Sequence, residues 1–401
     1  MLCAGCSALS WHTEDGKHLW GRNLDFNRLA EGTMVTFFPT GTIYRIFGTE
    51  DPSGTQEIRR TARYAAAGMG LYPTSGIAIL YEGINSQGLM GGQLYYRTLA
   101  HYSAHCRPGT TPIQPPFLVY HLLAQCATVE EVVQVLRKEL TLVDRPFWGT
   151  VPPLHWTFSD RTGESIVVEP DEDGLHIHRS TIGVMTNSPD YRWHRLNLLN
   201  YAGIRDLDHD GLCICGDSLT QCFSGSGAQG LPGDWSSPAR FVRLALLKEH
   251  CLPGKDEASG IAAMLHLFQS AAFPLGMVRV SQPGHITEQD SGVVPFDYTV
   301  YTSIMCAESL RYYWTTYENQ ARAVHRSPSP VESESAGAIP PGKGTGFPVP
   351  DRKLTIGHVA AHRGAKQYVS PLGVFLPLLR FQEMPQILFH GGNSAQAKLL
   401  H

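Results

Sequence analysis

Three residues near the start of the chain have the types and spacing for nucleophilic chemistry: Cys6, Arg22 and Asp25. A thiol attacks a carbonyl carbon well only as thiolate, and an unperturbed cysteine, with pKa about 8.5, is mostly protonated at neutral pH. If Met1 to Gly5 are cut away, Cys6 becomes the amino terminus. Its own α-amine, with pKa about 7.7 to 8.0, is then the nearest base. Arg22 would favour the thiolate by charge and keep the amine unprotonated. Asp25, an acceptor, would hold that amine in place.

These roles require a hairpin. Ser7 to Thr13 and Lys17 to Asn23 are β-prone runs flanking Asp15-Gly16. That dipeptide readily supplies two positive φ angles in a tight turn, so Cys6 returns beside Arg22 and Asp25. Further runs, Gly76 to Gly83 and Leu89 to Tyr96, flank a turn at Asn85-Ser86-Gln87-Gly88, and Tyr95 ends the second. Pro116 to Gln125 reads as a helix. Thr128 and Glu131 form a capping box before Val129, Val132, Val133, Leu136 and Leu140, which share one helical face. A three-stranded meander follows at Leu154 to Asp160, Ser165 to Glu169 and Leu175 to His178. Ser237 and Pro238 read as the cap and first residue of a helix carrying Phe241, Leu244 and Leu247. Arg240 then falls in its first turn, where the helix dipole disfavours a cation by several tenths of a kcal/mol, so something else requires it there. Tyr298 to Met305 and Leu310 to Tyr317 close the pattern as aromatic-rich strands. Strand runs interspersed with separate helices predict α+β layers built on antiparallel sheets.

Cys6 followed by Arg22 within Gly21-Arg22-Asn23-Leu24-Asp25 resembles the opening of the choloylglycine hydrolase family, which contains bile salt hydrolases and penicillin V acylases. Collinear segments resemble it too: Pro153 to Trp156 with Ser165 to Glu169, Gly183 to Asn187, Gly230 to Asp234 with Ser236-Ser237 and Arg240-Phe241, and Tyr298 to Ser303. The resemblance covers Cys6 to Asn319. It implies a four-layer αββα N-terminal nucleophile hydrolase sandwich with two antiparallel sheets, and a linear amide hydrolase needing no metal or organic cofactor. It assigns Asn187 and Tyr95 to the oxyanion hole and Arg240 to the catalytic site. Without it, Thr186-Asn187-Ser188-Pro189 is simply a turn before proline. Tyr95 stands where bile salt hydrolases carry Asn and penicillin V acylases carry Tyr, which tilts the substrate toward penicillin V. Conjugated bile acids are the alternative, and acyl-homoserine lactones stay open. The resemblance also implies a homotetramer.

The domain reading is a short propeptide at 1–5 and an amidase domain at 6–325. A Pro-, Ser- and Gly-rich linker or disordered segment follows at 326–351, then a C-terminal extension of unassigned role at 352–401. A net charge of -4 gives no footprint for nucleic acid, and no apolar run is long enough for a membrane span. Nine cysteines at irregular spacings, with no secretory signal, predict reduced thiols in a cytoplasm. A rival from another class is a non-catalytic metal-binding protein using Cys3, Cys6, Cys213 and Cys215. His176 and His178 face one side of a strand and are read as solvated. Gly225 to Gly230 matches a dinucleotide fingerprint, but Leu231-Pro232-Gly233 follows instead of a helix, so it is read as a loop.

Overall fold

The computed structural model describes residues 5–29, 32–48, 57–71, 76–280 and 294–320, together with the backbone of 366–367. The predicted hairpin is present, with strands Gly5–His12 and His18–Phe26 in antiparallel register. Its turn differs from expectation. Gly16 has φ 81° and donates to Thr13 O, whereas Asp15 is not left-handed. The connection is therefore a three-residue loop with glycine at its left-handed position, in which one positive φ suffices.

That hairpin lies inside a six-stranded sheet ordered Val184–Met185, Gly5–His12, His18–Phe26, Phe296–Cys306, Val278–Arg279, with Arg311–Thr316 also on Phe296–Cys306. A second sheet has eight strands, ordered Gly174–His178, Ser165–Asp171, Leu154–Ser159, Met90–Tyr95, Ile79–Asn85, Ala66–Leu71, Thr33–Phe38, Lys366–Gln367. All their pairings are antiparallel. The sheets meet face to face where Trp20 packs among Ile84, Met90 and Leu94. Gly92 makes that approach possible, because a Cβ there would sit 2.8 Å from the Trp20 ring.

Helices cover both outer faces. Helices α1 (Leu118–Gln125) and α2 (Val129–Lys138) share a core with Leu80, Leu154 and Phe158 of the larger sheet. On α2, Val129, Val132, Val133 and Leu136 are buried as their spacing predicts, but the helix stops before Leu140, which lies in the strand Leu140–Leu142. Its cap is only half the expected box: Thr128 accepts from Glu131 N, but the Glu131 carboxylate turns to Ala127 N. Helix α3 (Tyr191–Asn197), capped by Asp190, lies before α4 (Ser237–His250) and α5 (Glu257–Ala271), which pack on the smaller sheet through Phe241, Leu244, Ile261 and Phe268. The α4 cap is Ser236, one residue earlier than expected, because the Ser237 hydroxyl bonds elsewhere. The stretch around Gly225 is a loop with a short 3-10 turn at Ser226–Ala228. The four layers are the αββα arrangement. Residues 1–4, and all of 326–401 except the backbone of 366–367, fall outside the described residues, and with them the linker and extension.

Candidate active site

Register decides which groups meet. Cys6 lies opposite Leu24, Ala8 opposite Arg22 and Gly5 opposite Asp25. Side chains alternate along a strand, so Cys6 and Arg22 share the face toward the second sheet, while Asp25 points to the face covered by α4 and α5. The spacing alone suggested one cluster. The structure instead splits it across the strand, with the Cys6 backbone nitrogen at the divide.

On the inter-sheet face, Arg22 Nη2 donates to Cys6 Sγ at 2.7 Å. Arg22 is itself fixed by Gln93 O at 2.7 Å and by Glu82 Oε2 at 3.4 Å. Glu82, fully buried, also accepts from Tyr301 OH at 2.8 Å, Tyr312 OH at 2.6 Å and Ser303 Oγ at 3.2 Å. Four converging donors favour its ionised form against the burial that pushes its pKa up. Sequence reasoning missed Glu82. The available signal was one carboxylate inside the apolar strand Ile79–Asn85, because a buried charge requires a partner.

On the helix face, Arg240 is buried and every one of its three nitrogens has a partner. Its Nη1 donates to Cys6 O at 2.5 Å and Ser7 Oγ at 2.8 Å, its Nη2 to Asn187 Oδ1 at 2.8 Å, and its Nε to Trp235 O at 2.9 Å. These contacts supply the requirement that its unfavourable place in the first turn implied. Asp25 Oδ1 accepts from Thr299 Oγ1 at 2.5 Å. Asp25 Oδ2 is buried without a hydrogen-bond partner among the described residues, 3.9 Å from Arg240 Nη1. Cys6 N donates to Asn187 Oδ1 at 2.8 Å. Asn187 Nδ2 donates to Tyr95 O at 2.8 Å, which leaves its second amide hydrogen uncommitted among the described residues. The Ser237 hydroxyl clamps the Asn187 backbone, accepting from its N at 2.9 Å and donating to its O at 2.8 Å. Tyr95 brings its ring over Phe26, with centroids 6.0 Å apart.

Burial dominates the titration of these groups. It raises the Cys6 thiol, with Arg22 opposing. It lifts Asp25 to about 6 against Arg240, the Thr299 hydrogen bond and Arg22. It lowers Arg240, with Asp25 and Cys6 opposing. Burial also raises Tyr95, so its phenol keeps its proton at neutral pH.

Among the described residues, Cys6, Cys213 and Cys215 of the rival metal set do not come together. Cys6 is buried, Cys213 and Cys215 are exposed, and Cys3 lies outside the described residues. Among the described residues the group close enough to share an ion is Asp171, Asp173 and His176. His176 and His178 are half-buried rather than solvated, and each meets a carboxylate: Asp173 at 2.7 Å and Glu169 at 3.0 Å. No helix among the described residues is long and apolar enough to cross a membrane.

A family model for linear amide C-N hydrolases of the choloylglycine hydrolase family matches residues 6–326. The chain is 34% identical over 320 residues to a bile salt hydrolase/transferase of Clostridium perfringens (strain 13 / Type A), covering 78% of this chain and 90% of that one. It is 28% identical over 318 residues to a bile salt hydrolase/transferase of Lactiplantibacillus plantarum, covering 78% and 90%. Among solved structures, a variant of the conjugated bile acid hydrolase from Clostridium perfringens superposes with TM-score 0.68 and 32% identity, over 79% of this chain and 90% of that one. A penicillin V acylase from Agrobacterium tumefaciens superposes with TM-score 0.59 at 21% identity, over 78% and 83%, and shares the fold.

Proposed function

The chain belongs to the choloylglycine hydrolase family of linear amide C–N hydrolases, and we propose that its amidase activity is carried by Cys6 after removal of Met1 to Gly5. The observation that carries this reading is the pair of contacts on one residue. Arg22 donates to Cys6 Sγ while Asn187 Oδ1 holds Cys6 N. Cleavage after Gly5 would turn that nitrogen into an amine next to the position opposite Asp25, whose Oδ2 has no hydrogen-bond partner among the described residues.

The amine takes the thiol proton, and the thiolate, supported by Arg22, attacks the amide carbon of an N-acyl amine. The spare Asn187 amide hydrogen and the Tyr95 phenol donate to the developing oxyanion; one such donor typically contributes about 10²- to 10³-fold in rate. The C–N bond breaks as the Cys6 ammonium returns its proton to the leaving amine. Water then hydrolyses the thioester and releases the carboxylic acid. Arg240 holds Cys6 O, Ser7 and Asn187 in place throughout. The catalytic domain is residues 6–325, and the family resemblance supports a homotetramer, which sedimentation at micromolar concentration tests.

Tyr95 stacked on Phe26 supports an aromatic acyl pocket and hence phenoxyacetyl-type penicillins as substrate. A second reading, glycine- or taurine-conjugated bile acids, is favoured by the relative at 34% identity. Initial rates on penicillin V and glycocholate, scored by free amine, separate them, and faster turnover of glycocholate overturns the Tyr95 argument. Intact mass tests the nucleophile. The mature protein should lack Met1 to Gly5 and Cys6→Ala should be inactive though folded; an active Cys6→Ala protein would sink the assignment.

A further inference from the structure

Outside the thiol site lies a cleft of about 600 Å³, bordered by Arg243, Trp235, Phe273, Thr299, Thr302 and Thr315 among others. Cys6, Tyr95 and Asn187 are not among its lining residues. Arg243 sits three residues after Arg240 on α4, and the two guanidinium groups contrast. Every nitrogen of Arg240 has a partner. Arg243 is 6% exposed, and only its Nη1 is occupied, by Pro232 O at 2.5 Å and Asp234 O at 2.7 Å. Its Nε and Nη2 are buried without a hydrogen-bond partner among the described residues. A buried cation with unmade hydrogen bonds destabilises a fold unless something pairs with it.

The chemistry of that edge is specific. Nε and Nη2 present parallel N–H donors at the spacing of two carboxylate oxygens, the side-on bidentate geometry. The carbonyls on Nη1 fix the plane from the other side. One cation with scattered hydroxyls suits a singly charged anion better than a phosphate. A volume of about 600 Å³ falls in the range of small-molecule sites and far exceeds a bare carboxylate. The walls contributed by Trp235, Phe273, Leu265 and Pro274 are apolar.

We propose that this cleft is a second ligand site, taking a small monocarboxylate with an apolar or aromatic body, whose two oxygens bind Arg243 Nε and Nη2. The site shares a wall with the thiol site, because Thr299 borders the cleft and also donates to Asp25. It shares none of the residues assigned to attack on the amide.

The test uses full-chain processed protein and 4-bromobenzoate as probe. Crystals soaked in it should show a bromine anomalous peak in the cleft with the carboxylate on Arg243, and calorimetry in about 0.15 M salt should detect the same event in solution. Arg243→Gln should weaken that binding at least tenfold. Ser270→Phe, which fills the cleft and leaves the guanidinium intact, should abolish it and decides the case if Arg243→Gln does not fold. A bromine peak only beside Cys6, no peak at all, or equal affinity in the wild type and the Ser270→Phe protein overturns the proposal. Binding and its site are read without turnover, so the result stands apart from the amidase assignment.

Discussion

Arg22 has different duties on its two terminal nitrogens: Nη2 faces the Cys6 sulfur, and Nη1 is tied to Gln93 O and Glu82. Glu82 therefore draws on the same positive charge that the proposed Cys6 thiolate would need. Removing its charge while keeping its shape should leave Arg22 more strongly cationic toward sulfur. We expect Glu82→Gln to lower the pH at which Cys6 becomes reactive by about one to two units, since unit charges several Å apart at an effective dielectric near 20 interact by about 2 kcal/mol and one unit corresponds to about 1.4 kcal/mol. Iodoacetamide labelling of the mature protein against pH measures this. A rate lowered equally at every pH, with no shift of the profile, would reduce Glu82 to a packing role. The meeting of Cys6 with Arg22 was legible from type and spacing, whereas spacing did not show that Asp25 lies on the opposite face of the strand. Tyr95, Asn187 and Arg240 come from distant stretches, and only the resemblance connected them to the hairpin.

At the scale of elements, the N-terminus of α4 separates two adjacent serines by job. Ser236 caps the helix through Ala239 N, whereas Ser237 bonds Thr186 Oγ1 and both backbone groups of Asn187. Losing the cap in Ser236→Ala should cost about 1 kcal/mol of stability and little activity. Ser237→Ala should lower kcat by about tenfold with KM nearly unchanged, because it frees the residue that orients Cys6 N, and each unmade buried hydrogen bond costs about 1–3 kcal/mol. Recovery of kcat in Ser237→Thr distinguishes positioning from general loss of structure. The sequence placed this helix correctly and missed the cap by one residue, since both serines satisfy the local rule and only the tertiary partner chooses. Helix α5 was not anticipated. Its Gly260 is a poor helix former, yet a Cβ there would lie 2.4 Å from Thr13 Cγ2, so packing demands the residue that hides the helical signal.

For the whole molecule, alternation and turn residues made the antiparallel layers legible, while the pairing of sheets did not follow from any single stretch. Buried titratable groups tie the stability of these layers to pH. His121 on α1 is buried, bonds Tyr44 OH at 2.9 Å, and has its pKa pushed down to about 3, first by burial and then by Arg60. The unfolded chain therefore takes up that proton first. The contribution is complete above about pH 6.5 and is lost as pH falls toward 3, the loss amounting to about 2 kcal/mol at pH 5. Asp25, raised to about 6, acts with the opposite sign, so the comparison must be between variants. Denaturant unfolding of His121→Gln from pH 7 to pH 5 should show a shallower loss than the wild type, and parallel curves would remove the histidine from the account.

The Glu82 anchor has a consequence for timing. Arg22 leans on Glu82, and Glu82 is held by Tyr301, Ser303 and Tyr312, near the far end of the described chain. Thr299, which holds Asp25, arrives equally late. A nascent chain emerging from the ribosome carries Cys6 well before the strands that brace its surroundings, which come only when synthesis of the sheet is nearly finished. Ribosome-stalled chains ending at residue 290 should retain Met1 to Gly5, and release of that segment should begin only once Phe296–Cys306 and Arg311–Thr316 have emerged.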